Sequence, residues 1–257
     1  MSSGAMFTAV TGTNAQQKRI DVIAHNLANV GTVGFKRQQA QFEDLLYENV
    51  RAPAAEGDSP TGLQFGRGTR IVSTEHVLGS GSMRQTDSPL DIAIEGDGFF
   101  AVQKLNGDQA YTRNGQFKLN VNGDIVNSSG LVLQPPVNIP QDAFGVTVTQ
   151  DGFVRYQQPG SASLVDAGQI QLTRFANPGG LSASGGNLFD ESPSSGTPIS
   201  GNPGTEAFGL LKQGTVEEAN VNIAEELVGL IIAQRAFEAN TRVISAADDM
   251  LRFVTQR

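Results

Sequence analysis

The chain has 257 residues, 39% of them hydrophobic, a formal net charge of −8 and no cysteine. That length carries one large domain or two modest ones, and the missing cysteine excludes disulfide frameworks, thiol catalysis and zinc–thiolate sites. The acidic balance argues against nucleic acid, whose phosphates demand basic patches. His25 and His76 are too few for a multi-histidine metal site, and no run of ~20 apolar residues is present to cross a membrane.

In chain order, the first predicted element is a helix over residues 4–30. Met6, Val10, Thr13, Gln17, Ile20, Ala24 and Leu27 follow an alternating 4,3 spacing, and Ala9, Thr13, Gln16, Ile20, Ile23, Leu27 and Val30 run beside them. Such spacing keeps side chains on one helix face. Gly31 and Gly34 supply the stop. The amphipathic start, with Lys18, Arg19 and Asp21 in its middle, does not read as a cleaved signal peptide. Residues 35–50 are compatible with an extended segment or a short helix. From Arg51 to Gly62 the composition shifts to Pro, Ala, Gly, Asp and Ser, which predicts a loop or extended arm.

β-signals follow. Short strands are expected at Thr69–Val72 and Glu75–Leu78, and a longer one over Asp91–Gln103 that contains Gly-Asp-Gly at 96–98, read as a turn or bulge. Asn106-Gly107, Asn114-Gly115, Asn122-Gly123 and Ser129-Gly130 then recur near every eight residues. Asn-Gly favours two-residue hairpin turns with positive φ at both central residues, and evenly spaced turns predict an antiparallel meander. Asp151-Gly152 adds a hairpin between Val146–Thr149 and Phe153–Gln157, Gln169–Phe175 is a further strand, and Ser192–Glu206 a surface loop. Asn222, with Glu225 three residues on, forms a capping-box-like start to a second helix that runs to about Val254. Its stripes are Ile223, Leu227, Leu230, Gln234, Phe237, Thr241, Ile244, Asp248 and Leu251, and Ala233, Ala236, Asn240, Val243, Ala247, Met250 and Val254. Gly229 inside it costs up to ~1 kcal/mol relative to Ala, which a close neighbouring backbone would offset.

The fold class expected is therefore α+β, mainly β with terminal helices that pair as a coiled coil. The domains are 1–34 with 217–257 as the helical part, 35–72 as a connecting segment with an arm at 51–66, and 73–216 as the β-rich part. A helix of ~50 Å with two apolar stripes has more face than one partner covers. Burying each Leu, Ile or Val is worth ~1.5–3 kcal/mol, against ~1–2 kcal/mol of backbone entropy per ordered residue. An isolated pair is marginal, so the helices are expected to order on assembly, with Met6, Val10, Ile20, Ile23, Leu27, Val30, Leu227, Leu230, Ile231, Phe237, Ile244 and Leu251 as interface and Leu63 and Phe65 as the arm's share.

Chemistry is thinly represented. Asp87, Asp91, Glu95 and Asp97 cluster in sequence. A carboxylate pair serves a glycosidase, but Asp91 and Glu95 fall on one face of an alternating strand, which reads as solvated. His25 has no identifiable catalytic partner. No catalytic residue, metal ligand or cofactor site is assigned.

IAHNLANVGTVGFKRQQAQFEDLLYENV (23–50), SPLDIAIEGDGFFAV (88–102), YTRNGQFKLNVNGDIVNSSGLVLQ (111–134) and EEANVNIAEELVGLIIAQRAFEANTRVISAADDML (217–251) resemble, in order, the signatures of bacterial flagellar rod and hook proteins. FEDLLYENV, the stretch ending TGLQFG and GGLSASGGNLF are most similar to the distal-rod members. The resemblance implies a non-enzymatic subunit of a rigid helical tube that transmits torque and encloses the export channel. The terminal helices would form its inner layer, and the arm would separate distal rod from hook. It further implies self-association, proximal rod and hook subunits as neighbours, an outer-ring bushing, passage through the flagellar type III export apparatus, and a place in the basal-body rod that crosses the periplasm. Sister readings are a proximal rod or hook subunit, and, from another class, a cell-wall carbohydrate-active module using the Asp/Glu cluster of Asp87, Asp91, Glu95 and Asp97.

Overall fold

Both ends of the chain are helical and the strands between them pair antiparallel, as the α+β pattern predicts. A computed structural model describes residues 2–51, 62–160, 163–205 and 207–255. The chain divides into two units, one of Met1–Ala28, Gln38–His76 and Asn222–Arg257, the other of Asn29–Arg37 and Val77–Val221.

The first unit holds α1 (Ser2–Ala28), β1 (Gln38–Asp44), β2 (Tyr47–Arg51), β3 (Leu63–Gly66), β4 (Thr69–His76) and α2 (Ile223–Thr255). Asn222 caps α2, its Oδ1 accepting from the Ala224 amide at 3.1 Å. The segment left open between helix and extended chain is extended. β1 pairs with β4 from Gln38↔His76 to Asp44↔Thr69, with an irregularity at Gln41/Phe42. That ladder also corrects the two short strands expected near residue 72: β4 is continuous, because all of its residues lie against one partner strand or its bulge. β2 and β3 pair from Tyr47↔Gly66 to Arg51↔Leu63 and form the base of the arm. The arm's residues 52–61 lie outside the described residues.

The second unit contains β5 (Met83–Gln85), β6 (Ile92–Glu95), β7 (Phe99–Gln103), β8 (Gln109–Thr112), β9 (Phe117–Leu119), β10 (Ile125–Asn127), β11 (Val132–Gln134), β12 (Phe144–Val148), β13 (Phe153–Gln157), β14 (Leu164–Gln169), β15 (Leu172–Arg174), β16 (Ser182–Gly185), β17 (Leu188–Asp190), β18 (Ile199–Gly201), β19 (Leu210–Gln213) and β20 (Thr215–Glu217). Its largest sheet runs β16-β17-β8-β7-β11-β10-β9, with β15 joining β7 to β18. Three expected spans are thereby corrected. Asp91–Gln103 splits into β6 and β7 at Gly-Asp-Gly, where Gly96 and Gly98 take φ of 114° and 137°. Gln169–Phe175 breaks where the Ile170 amide leaves the strand to bond Gly152 O at 2.8 Å. The loop at 192–206 contributes β18 to the sheet.

The Gly turns show their chemistry with unusual uniformity. Gly107, Gly123, Gly130 and Gly152 each donate a backbone N–H to the carbonyl three residues earlier, at 2.9–3.1 Å. In each case that earlier residue's own N–H bonds the carbonyl four residues on, at 2.8–3.0 Å. Each glycine has positive φ, from 79° to 93°, while the preceding Asn, Ser or Asp does not. These are type I turns followed by a glycine bulge, not the two-residue turns expected, and they need only one left-handed residue. Asn120 and Asn127 reinforce theirs by accepting two backbone N–H bonds each on Oδ1. Asn114-Gly115 is the exception in the series. The chain crosses there from β8 to β9 instead of turning back, and a Cβ on Gly115 would lie 1.7 Å from Ile92 O. The meander is therefore β9-β10-β11, returning to pair with β7.

Ile92, Ile94, Phe100, Val102, Ile125, Leu133, Ile170, Leu172 and Leu211 form the main core of this unit. Phe99, Tyr111, Phe175 and Phe189 form a second cluster, with Tyr111 and Phe175 edge-to-face at 4.8 Å. Asp91, placed by its alternation on a solvated face, is buried. Ile92, Ala93 and Ile94 are all buried too, because this stretch is covered on both faces and alternation no longer separates core from solvent.

Residues 29–37 are bound into the second unit by charge. Lys36 Nζ donates to Glu217 Oε1 at 2.6 Å and to Gly79 O at 3.0 Å, with both side chains 1% exposed. Glu217 Oε1 also accepts from the Gly81 amide at 2.8 Å. Asn220 completes the attachment, accepting from the Arg37 amide and donating to Val77 O and Gly79 O at 2.7–2.9 Å. Burial holds the Lys36 pKa below its ordinary value, against the opposing pull of Glu217. Removing one partner strands a buried charge, which costs ~3–5 kcal/mol, so Glu217→Ala is expected to lower unfolding free energy by about that amount in urea titrations. The unfolded chain binds more protons than the folded one between the depressed and ordinary Lys36 pKa values, so this group makes stability rise with pH through that alkaline window; Lys36→Met is expected to remove that rise.

Candidate assembly interface

α1 and α2 pack along a seam of small residues. A Cβ on Gly12 would lie 2.8 Å from Asn240 Nδ2, and one on Gly229 would meet Ile23 Cδ1 at 3.5 Å. Ala9, Ile23, Ala233 and Ala247 are buried. Short side chains let two helices approach closely, and the large aliphatic residues then fall elsewhere on each cylinder. The partner offsetting Gly229 is the Ile23 side chain rather than the neighbouring backbone expected.

The residues predicted for assembly divide into three groups. Ile23 is buried, and Met6, Ile20, Leu27, Leu230, Phe237, Ile244 and Leu251 are half-buried. Val10, Leu227 and Ile231 on the helices, and Leu63 and Phe65 at the arm base, are exposed. Val30 lies past the end of α1, half-buried in the second unit.

Val228, Ile231 and Ile232 are more than half exposed, as are Met250 and Phe253 further along α2. With Ile223 and Leu227, the first three occupy about half a turn of the helix surface at ~3.6 residues per turn. Arg235, Glu238 and Arg242 then interrupt the apolar surface, with Arg235 and Glu238 paired at 3.2 Å. The arm base presents a similar surface: Tyr47, Val50, Leu63 and Phe65 are all exposed on one two-stranded ladder. Two strands alone are marginal in water, and exposed apolar patches of this kind mark interaction surfaces.

A polar node holds β1 to both helices. Asn26, 1% exposed, accepts from the Gln38 amide at 2.8 Å and donates to Gln38 O at 2.8 Å and Glu226 Oε1 at 3.2 Å. Its amide thus pairs with a strand residue as another strand would. Sequence reasoning passed over Asn26, Gln38 and Glu226. The signal for Asn26 was a polar residue three positions after Ile23, on the inward side. Val228, Ile232 and Phe253 were also missing from the assigned interface, because a 4,3 stripe selects one face while these lie on the opposite one; Ile223 heads the stripe but was left out of the assigned residues.

Among the described residues no group of three or more His, Cys, Asp or Glu is arranged to hold a metal.

Three family descriptions match the chain: "Flagella basal body rod protein" over residues 6–36, "Flagellar hook protein FlgE/F/G D1 domain" over 93–156 and "Flagellar basal body rod FlgEFG protein C-terminal" over 212–257. The chain is 45% identical to the flagellar basal-body rod protein FlgG of Buchnera aphidicola subsp. Baizongia pistaciae over 252 residues, covering 96% of this chain and 97% of that protein. The chain belongs to the FlgG family of flagellar basal-body rod proteins. FlgG of Borreliella burgdorferi is 44% identical over 253 residues, covering 96% of each chain, and FlgG of Caulobacter vibrioides is 43% identical over 257 residues, covering 98% of each. The rod-and-hook resemblance of the sequence motifs is thus borne out, and the FlgG relatives align along nearly their whole length.

Two substitutions test this geometry. Asn26→Ala leaves the Gln38 amide and Glu226 without this partner and is expected to cost ~1–3 kcal/mol, read as a fall in thermal midpoint. Gly12→Val forces a branched side chain against Asn240 and is expected to cost ~1–3 kcal/mol by overpacking, seen as faster amide exchange in both helices.

Proposed function

We propose that this chain is the distal-rod subunit of a bacterial flagellum, polymerising through its terminal helices into a rigid helical tube that carries torque from motor to hook and surrounds the export channel. The observation that supports this most is the open apolar face of α2. Ile223, Leu227, Val228, Ile231 and Ile232 lie outside the seam with α1, and helices of neighbouring copies are the partners that fit a repeating stripe. Identical head-to-tail contacts that do not close into a ring generate an open helix, and packed interfaces resist continuous deformation, as a drive shaft requires. On this reading Met6, Val10, Ile20, Ile23, Leu27, Val30, Leu227, Leu230, Ile231, Phe237, Ile244 and Leu251 form the assembly interface within and between copies. Leu63, Phe65 and the arm at 51–66 bridge adjacent copies and stiffen the tube. The neighbours are proximal rod subunits at one end, hook subunits at the other and the ring bushing around it. The subunit leaves the cell body through the flagellar type III apparatus and spans the periplasm in the assembled rod. It has no catalytic role.

The decisive experiment is electron microscopy of concentrated full-length protein, which is expected to show straight tubes of helical symmetry; a protein that stays monomeric at all concentrations would sink the proposal. Replacing both Leu227 and Ile231 with Glu is expected to raise the concentration needed for assembly at least tenfold while leaving the thermal midpoint of dilute protein unchanged. Deleting residues 52–61 is expected to give curved or flexible filaments, and straight ones would remove the arm from the mechanism. In dilute protein, amides of residues 6–30 are expected to exchange faster than those of the second unit's core strands, and to gain protection on assembly.

A further inference from the structure

The second unit contains a cavity of about 80 Å³ lined by residues including Leu78, Asp97, Phe99, Arg113, Arg174 and Phe175. Among its lining groups is the Arg113 guanidinium, on a residue that is 4% exposed. Arg113 Nη2 donates to Gly96 O at 2.7 Å, Nε lies 3.6 Å from Glu217 Oε2, and the Phe99 ring covers the group at 5.7 Å. Nη1 is buried and has no hydrogen-bond partner. Leaving a charged donor unmade in a dry site is costly, and among neighbouring rings a single acceptor there is strongly favoured. Arg174 and Asp97 stand at the open side, 3.6 Å apart, with side chains 36% and 79% exposed.

Lining chemistry and size both narrow the ligand. Two guanidiniums, of Arg113 and Arg174, line the cavity together with the carboxylate of Asp97. The space admits a group of a few non-hydrogen atoms and no sugar or nucleotide. Aromatic and aliphatic walls suit the methyl or methylene that a carboxylate carries, and planar bidentate pairing is what a guanidinium offers it. We propose that this cavity binds a carboxylate group between Arg113 Nη1 and Arg174. The source is either a small free carboxylate or an Asp or Glu side chain of a second copy.

The test uses full-length protein below its assembly threshold. Acetate is titrated against chloride at constant ionic strength, and the arginine side-chain resonances are followed by nitrogen-15 NMR. The Arg113 signal is expected to shift saturably, with half-effect on the order of millimolar for so small a ligand. Arg174→Gln is expected to weaken that response at least fivefold with an unchanged circular dichroism spectrum, and Asp97→Asn to strengthen it by removing a competing carboxylate. No saturable shift in the parent protein, or the same shift in Arg174→Gln, overturns the proposal, the former being the result if Asp97 itself swings in to satisfy Arg113. These readings hold whether or not the chain polymerises. A second arm separates the sources: if a neighbouring copy supplies the carboxylate, acetate raises the concentration needed for tube formation, and if a free anion is the ligand, it does not.

Discussion

The structure depends on the closeness of one helix–helix seam. A Cβ on Gly12 would fall 2.8 Å from Asn240 Nδ2, so a larger residue there displaces the Asn240 side chain, while Gly229 sits at ordinary contact distance, 3.5 Å, from Ile23 Cδ1. Ala9, Ala233 and Ala247 are buried on the same two helices. Small residues on the inner face commit the large ones to the outer face, since a helix offers ~3.6 positions per turn and the inner ones are taken. Val228, Ile231 and Ile232 therefore stay in water in a single chain. The apolar exterior follows from how tightly the interior is made, and rotating α2 to bury those residues would destroy the Gly contacts.

Two polar nodes keep each unit in register, and both trade stability for definition. Asn26 binds the main chain of Gln38 on both sides and also Glu226, so β1 attaches to the helices at one residue and nowhere one step along. Lys36 and Glu217 do the same for residues 29–37 in the second unit. A buried pair gains little over well-packed apolar groups, but it is expensive to break. That asymmetry suits a part that must have one shape more than it suits one that must be maximally stable. The glycine-bulge hairpins serve the same end: each fixes its register with a single left-handed residue, at Gly107, Gly123, Gly130 and Gly152.

Much of this was legible from residues alone, for identifiable reasons. Helices announce themselves by period and caps, so α1, α2 and the Asn222 start were readable. Turn glycines mark hairpins, so three of the four turns in the series from Asn106-Gly107 to Ser129-Gly130 were placed correctly though their type was not. Asn114-Gly115 misled because the same dipeptide serves a different need there, the close passage of Ile92 O. Asp91 misled because alternation reports burial only where one face is wet. The family was legible from four separate motifs, and the relatives along the whole chain confirm it. The Asn26 node escaped notice because its partners are distant in sequence, Glu226 lying 200 positions away, and a hydrogen bond across that separation leaves no periodic trace.

The division of α2 into two apolar stretches separated by Arg235, Glu238 and Arg242 bears on how such a face avoids indiscriminate association. A continuous stripe could slide along a neighbour by one turn and still bury most of its area. A charged interruption makes every slipped register bury an ion against hydrocarbon, which costs several kcal/mol for each unpaired charge. The net charge of −8 adds a long-range repulsion between free chains, screened beyond ~8 Å at physiological ionic strength. Association is thus opposed at a distance and in the wrong register, and favoured only where the two apolar stretches and the charged break coincide with their counterparts. Among identical copies, such a face favours a site where several correctly registered faces are presented at once over a lone partner that presents one.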